Sequence, residues 1–356
     1  MKRFNPKSTT VLLSLLAICC FYIACKKVLY PDDGSHSLWV VGTPLQEYGS
    51  LFHTIDDGFL WERQGIPSLM SEISLTGICA SSPTDVWMVG SSVDEYGFIL
   101  FSSDGGYSLT RVGDKTLFGN ITFLVVHAKQ TNRVWVGGSN STLFSTSDQG
   151  ITWYKMLLDT LPPVNFTGIT SQGNDSIWVI GNHAFPSDSL PPILLASFDG
   201  GTTWQSQPID TLIGHRLVSI ISINDTTLWL ATESALLCST DRGYSWVTKH
   251  PVADGTITGL AAQNIKNIWA ISSQGAILSS INAGATWVER RPFNNRIPLT
   301  GIITKGSNLI WVIGGDTLPG SRGVIYYSRN DGQTWFNQEF PGSPPLHAIT
   351  CVEVKE

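Results

Sequence analysis

The sequence predicts an all-β fold, a seven-bladed β-propeller with four-stranded blades whose first blade is completed by the C-terminal strand. Three observations predict it. An apolar strand with a tryptophan near its start recurs seven times, a turn motif recurs seven times in alternation with it, and one further strand stands at the C-terminus with no tryptophan strand after it. Repetition at a period of roughly 20 to 50 residues marks an architecture made of one unit used many times. The composition agrees. With 34 Gly, 13 Trp and only 14% charged residues, the chain suits short strands, tight turns and aromatic packing rather than disorder.

The tryptophan strands are Leu38-Trp39-Val40-Val41-Gly42, Val86-Trp87-Met88-Val89-Gly90, Val134-Trp135-Val136-Gly137, Ile177-Trp178-Val179-Ile180-Gly181, Leu228-Trp229-Leu230-Ala231, Ile268-Trp269-Ala270-Ile271 and Ile310-Trp311-Val312-Ile313-Gly314. They are apolar on both faces, as expected of strands with a layer packed on each side.

The turn motif reads Ser/Thr-x-Asp-x-Gly-x-Thr/Ser-Trp. Residues 146–153, 197–204 and 239–246 match it best. The sixth and seventh copies carry Asn282 and Asn330 in place of Asp, the first has Leu60 where the second hydroxyl belongs, and the second ends in Leu109 instead of Trp. Every Trp of the chain falls in one signature or the other. The acidic or amide position, Asp56, Asp104, Asp148, Asp199, Asp241, Asn282 and Asn330, is given a structural role: a short polar side chain bonds nearby backbone N–H groups while Gly takes positive φ. The Trp covers the hairpin.

A third element precedes the tryptophan strand. Gly77, Val125, Gly168, Ser219, Gly259 and Gly301 each stand ten residues before a Trp and are followed by an apolar residue. Small residues suit an innermost strand crowded at the axis. Trp39 has no such element before it, but residues 346–352 supply one. The C-terminus is therefore expected to close the ring, leaving no free edge between the chain ends.

These motifs resemble the Asp-box, or bacterial neuraminidase repeat, family over residues 38–353. Within that group the unit is most similar to the photosystem II stability/assembly factor family. That resemblance implies an exported single seven-bladed propeller that binds a protein partner without catalysis, through a basic patch. Sialidases share the box, but their Arg-Ile-Pro motif precedes the first box, whereas Arg296-Ile297-Pro298 lies between the sixth and seventh here. Sialidases also have six blades. Hydrolysis of a glycosidic bond needs a placed carboxylate pair, which spacing alone neither supplies nor excludes. The reading is thus a non-catalytic binding or assembly module for a protein, with a glycan-binding or glycoside-hydrolase envelope protein as the alternative.

Calling the strands of a blade A (inner), B (Trp), C and D, the A–B spacing is fixed and the motif forms the C–D turn. Both turns lie on one face of the ring. The interval from Trp to the box Asp or Asn varies from 12 to 21 residues, so the B–C and D–A loops on the other face carry the variation. Variable loops on a rigid scaffold are where binding sites are built. Three features stand out there. The sixth D–A loop holds Arg290, Arg291 and Arg296, and arginines grip carboxylates bidentately. The first two B–C loops carry Tyr48 and Tyr96 at matching places. The long fourth and seventh B–C loops contain His183, Phe185 and Arg322.

Residues 1–24 read as a signal peptide. Lys2, Arg3 and Lys7 precede a nearly unbroken apolar run over residues 9–24, short for a membrane span and suited to export. Tyr22-Ile23-Ala24-Cys25 resembles a bacterial lipobox, with Tyr22 where Leu is preferred; the resemblance makes Cys25 the lipidation site. Residues 25–37 then form a tether and 38–356 the propeller. The expected location is the bacterial cell envelope, with membrane attachment through Cys25. The net charge of −6, without a basic run, argues against nucleic acid. No spacing suggests a metal site, a phosphate loop or a cofactor. Cys79, Cys238 and Cys351 sit among apolar residues and read as small buried hydrophobes. A monomer is expected.

Overall fold

The computed structural model describes residues 35–45, 48–58, 60–64, 73–92, 97–113, 115–156, 158, 161–173, 175–184, 190–209, 212, 215–251, 255–293, 296–306, 308–315, 323–339 and 344–354. These form seven four-stranded antiparallel sheets and one helical turn, α1 (Lys115–Phe118).

Blade 1 contains β1 (Ser35–Leu45), β2 (Tyr48–Thr54) and β3 (Glu62–Gln64), and blade 2 contains β4 (Ile73–Ala80), β5 (Val86–Ser92), β6 (Gly97–Ser102) and β7 (Thr110–Val112). Blade 3 is β8 (Phe123–Gln130), β9 (Arg133–Gly138), β10 (Leu143–Thr146) and β11 (Tyr154–Lys155); blade 4 is β12 (Val164–Gln172), β13 (Ser176–His183), β14 (Ile193–Ser197) and β15 (Gln205–Ser206). Blade 5 is β16 (Leu217–Ser222), β17 (Leu228–Thr232), β18 (Ala235–Ser239) and β19 (Val247–Pro251). Blade 6 is β20 (Ile257–Ala262), β21 (Ile268–Ser272), β22 (Ile277–Ser280) and β23 (Val288–Arg290). Blade 7 is β24 (Leu299–Lys305), β25 (Leu309–Gly314), β26 (Val324–Ser328) and β27 (Phe336–Glu339). The last strand, β28 (Leu346–Val354), pairs antiparallel with β1 from Ser35 opposite Val354 to Gly42 opposite Leu346, so blade 1 runs β28-β1-β2-β3. Each A strand touches the next around the ring, β28 to β4 and β24 back to β28 included. The expected closure by the C-terminal strand is therefore what the chain does.

The core lies between blades. All seven B-strand tryptophans are at most 2% exposed. A buried indole removes about 150 to 250 Å² from water, which at about 25 cal/mol per Å² contributes about 4 to 6 kcal/mol against the cost of ordering it. Trp39, Trp178 and Trp311 also donate their indole N–H across the gap, to the carbonyls of Gly105, Arg242 and Asp57 in the next blade's C–D turn. Turn tryptophans pack edge-on against them: Trp153 on Trp87, Trp287 on Trp229 and Trp335 on Trp269, with centroids 5.9–6.4 Å apart.

Every A strand carries a β-bulge at the same place. The residues skipped by the register are Thr76, Leu124, Thr167, Val218, Thr258, Thr300 and His347. A bulge adds an unpaired residue and twist, and three of the four threonines use it to tie blades together. Thr76, Thr167 and Thr300 donate to the carbonyls of Phe123, Leu217 and Leu346 on the neighbouring A strand. The small residue that follows serves chiefly its own sheet. A Cβ on Gly168 or Gly301 would lie 2.9 Å from the opposite isoleucine, Ile180 or Ile313, so the glycine admits a branched B-strand side chain as well as close approach near the axis.

Candidate functional site

The ring has two unlike faces, and the turn motif makes one of them rigid. In each copy two successive residues take positive φ, from Asp57 and Gly58 in the first to Asp331 and Gly332 in the seventh. The first of each pair donates its backbone N–H to a carbonyl of the A–B side of the same blade: Asp57 to His36, Gly105 to Thr84, Gln149 to Asn132, Gly200 to Asp175, Arg242 to Thr226, Ala283 to Lys266 and Asp331 to Asn308. The A–B and C–D turns are thus bolted together on one face.

The acidic position behaves as its chemistry requires. Asp199 accepts from the Thr203 hydroxyl (2.6 Å), the Thr203 backbone N–H (2.8 Å) and Ser197 (2.8 Å). These hydrogen bonds, led by the Thr203 hydroxyl, hold its carboxyl down to about 2. Asp148 is lowered in the same way. At Asp104 and Asp241 partial burial pushes upward, and the bonds from Ser108 and Ser245 outweigh it. Asn282 and Asn330 reproduce the geometry by donating Nδ2 to the hydroxyls of Thr286 and Thr334. Leu60 needs no hydroxyl, because its backbone N–H donates to Asp56 at 2.9 Å. These bonds are all made within the turn itself.

The other face carries the variable loops and the arginine cluster. Arg290 ends β23 opposite Ile277 and turns its guanidinium onto the Ser279 hydroxyl. Arg291 is paired with Glu289 at 2.9 Å and donates to the Gln274 carbonyl at 3.0 Å. Arg296, exposed, reaches the Gln274 side-chain oxygen at 3.4 Å. Arg291 and Arg296 therefore converge on the short B–C turn of blade 6, with Gln274 as the shared acceptor, while Arg290 lies along its own sheet. Glu289 offsets part of the charge, and the arrangement offers one exposed guanidinium beside one partly exposed guanidinium to an incoming carboxylate.

The remaining site residues stand elsewhere on the ring. His183 ends β13 in blade 4, and its Nε2–H donates to the Pro191 carbonyl at 2.8 Å. It therefore pins the root of a long loop. Tyr48 opens β2 in blade 1, opposite Leu45. One blade separates blade 4 from blade 6, and one separates blade 6 from blade 1. Cys25, Tyr96, Phe185 and Arg322 lie outside the described residues. Gln274 and Ser279 were not legible as site residues, because only the B–C turn geometry and the C–D register bring them to the arginines. Among the described residues no group of three or more His, Cys, Asp or Glu is placed to hold a metal ion. Cys79, Cys238 and Cys351 are unpaired thiols; burial pushes all three up, Cys351 to about 12.

A cavity of about 770 Å³ lies at the outer rim between blades 3 and 4, from Gly200, Gly201 and Thr202 of the C–D turn to Leu158 and Leu161 of the D–A loop. The sequence reading did not foresee it. The signal was faint: Thr202 in the fourth turn stands where the second, third and fifth carry Tyr107, Ile151 and Tyr244.

The fold and the two faces define a closed seven-bladed β-propeller with a rigid turn face and a variable loop face. Residues 174–343 match the family described as the DUF6242 beta propeller domain. The chain is similar to the chloroplast photosystem II stability/assembly factor HCF136 of Arabidopsis thaliana, with 24% identity over 231 residues, 57% of this chain and 53% of the relative. It is similar to the photosystem II assembly lipoprotein Ycf48 of Synechococcus sp. (strain CC9902), with 26% identity over 180 residues, 49% of this chain and 51% of the relative. The chain thus spans about half the length of the curated relatives it matches. Among solved structures, YCF48 from Cyanidioschyzon merolae superposes with a TM-score of 0.60 at 18% identity, covering 85% of this chain and 98% of that one. This last likeness concerns the fold.

Proposed function

We propose that this protein is an exported, lipid-anchored propeller of the Asp-box type that binds a protein partner as a non-catalytic assembly module. The observation that carries the reading is the similarity to two assembly factors of photosystem II, one of them a lipoprotein by name. Nothing in it requires photosynthesis, because the shared feature is the blade unit.

The geometry suggests how the module would be oriented. β1 begins on the rigid-turn face, since its Ser35 pairs with the end of β28. With Cys25 lipidated, residues 25–34 would reach at most about 36 Å when extended. That face is then turned toward the membrane in a bacterial envelope, and the variable loops toward the partner. Arg291 and Arg296 are the candidate contacts, with Arg290 beneath them. The domain boundaries in this reading are a leader over residues 1–24, a tether over 25–37 and the propeller over 38–356.

In-cell cross-linking of the tagged full-length chain, followed by mass spectrometry, tests the partner. The wild type is expected to capture a defined protein that Arg291→Glu with Arg296→Glu loses. Capture unchanged by charge reversal would remove the arginines from the interface. Turnover of any chromogenic glycoside by the purified chain would overturn the non-catalytic reading, and glycan-array binding without turnover would replace the protein partner with a sugar. Cys25→Ala is expected to release the protein from the membrane fraction or to leave precursor; unaltered fractionation and mobility would exclude lipidation there.

A further inference from the structure

The cleft between blades 3 and 4 differs in its walls from the gaps between blades 1 and 2 and between blades 4 and 5. Between blades 1 and 2 the Tyr107 hydroxyl reaches Glu62 on β3 at 3.4 Å, and between blades 4 and 5 the Gln205 amide of β15 reaches the Tyr244 hydroxyl at 3.3 Å. In the fourth turn that position is Thr202, whose hydroxyl turns back to the Asp199 carbonyl. The large side chain that bridges those two gaps is missing here. About 770 Å³ stays open, within the usual range for small-molecule sites.

The lining is selective in its chemistry. Trp135, Trp204, Tyr154, Met156 and Leu161 give it an apolar and aromatic wall, Arg133 and Lys155 make it basic, and among the described residues no Asp or Glu lines it. Arg133 lies over the Trp135 ring, 5.9 Å from its centroid, so the cation is already stacked on the aromatic wall. The Trp135 indole is 1% exposed and its Nε1–H has no hydrogen-bond partner. In blades 1, 4 and 7 the same indole N–H is satisfied by the next blade's turn. Trp87 and Trp269 also lack an acceptor, but Trp135 lines this cavity. A buried donor left unmade costs free energy comparable to a lost hydrogen bond, and a ligand acceptor would recover it.

We propose that this cleft binds a small organic anion with an apolar body, an aryl or alkyl carboxylate, its charge held by Arg133 and Lys155, one oxygen accepting from Trp135 Nε1–H, and its body packed on Trp204, Tyr154 and Met156. The site is separate from the arginine cluster, which lies in blade 6.

Isothermal titration calorimetry of the full-length chain in detergent with 3-phenylpropionate, and with its uncharged amide, tests this. The anion is expected to bind and the amide to bind at least tenfold more weakly. Lys155→Gln is expected to weaken the anion severalfold and leave the amide unchanged. Thr202→Tyr installs the residue that blades 2 and 5 already carry, so the fold is preserved, as its melting temperature would show, and binding is expected to vanish. In ¹⁵N-resolved spectra the Trp135 indole N–H, assigned by Trp135→Phe, is expected to shift on titration. No binding, equal binding of acid and amide, or binding that survives Thr202→Tyr in a folded variant would each overturn the proposal.

Discussion

At the residue scale, the box carboxylates show how a short polar side chain holds a turn and what that costs in acid. Asp199 is held down to about 2 by bonds that only its ionised form accepts in full. A depressed folded-state value adds stability that is present above the unfolded value, about 3.9, and is lost as pH falls through the folded one. Asp199→Asn keeps the geometry that Asn282 and Asn330 already display but cannot titrate. Its melting temperature is expected to lie below that of the wild type at pH 7, with the gap closing as pH approaches 2. Thermal melts across that range check it, and a gap constant with pH would contradict it.

A buried pair fastens the turn of the first blade to its own β1. His36 and Asp57 are 3% and 2% exposed, their Nδ1 and Oδ1 lie 3.0 Å apart, and the His36 backbone N–H donates to the same oxygen at 2.7 Å. Removing one partner of a buried polar pair leaves the other unsatisfied. Because the backbone donor remains, His36→Ala is expected to cost about 1 to 3 kcal/mol, read from urea unfolding. A loss under about 0.5 kcal/mol, the scale of an ordinary surface change, would show that the pair holds nothing.

At the element scale, the bulge in each A strand is the feature that joins neighbours. The Thr300 hydroxyl donates to the Leu346 carbonyl at 2.7 Å, and so links blade 7 to the closing strand. Thr300→Val keeps the shape and removes that bond. It is expected to lower stability by about 1 kcal/mol, and by the same amount whether or not His36 is also replaced, since distant sites add. A double-mutant cycle by chemical unfolding measures both quantities. The bulges were not legible in the sequence. The ten-residue spacing to Trp located the A strands, but a register shift depends on which backbone groups meet across two strands, and no side-chain pattern records that. The glycines at 77, 168, 259 and 301 hinted at it through close approach, though their nearest constraint proved to be the branched residue on the paired B strand.

At the scale of the whole molecule, closure by β28 determines whether there is a sealed ring at all. Without it β1 would present a long apolar edge to other chains. A chain ending at residue 344 is expected to aggregate or to lose its single cooperative transition, seen by size-exclusion chromatography and circular dichroism. A monodisperse truncated protein melting like the full chain would show that the ring does not need its closing strand.

The sequence by itself determined the seven blades, their order, the face on which the turns lie and the strand that closes the ring. Those follow from local patterns, since apolar runs, turn chemistry and fixed spacings act within one unit and repeat. It also located an arginine-rich loop, but Arg290, Arg291 and Arg296 looked equivalent as letters. Only the tertiary structure separated them, turning Arg290 onto Ser279 and bringing Arg291 and Arg296 to Gln274. Only the tertiary structure opened the cleft between blades 3 and 4 and left the Trp135 indole without an acceptor beside it. The reason is physical. Strands and turns are decided by neighbours in the chain, whereas gaps between blades are decided by side chains about 50 or more residues apart that meet only when the ring is closed.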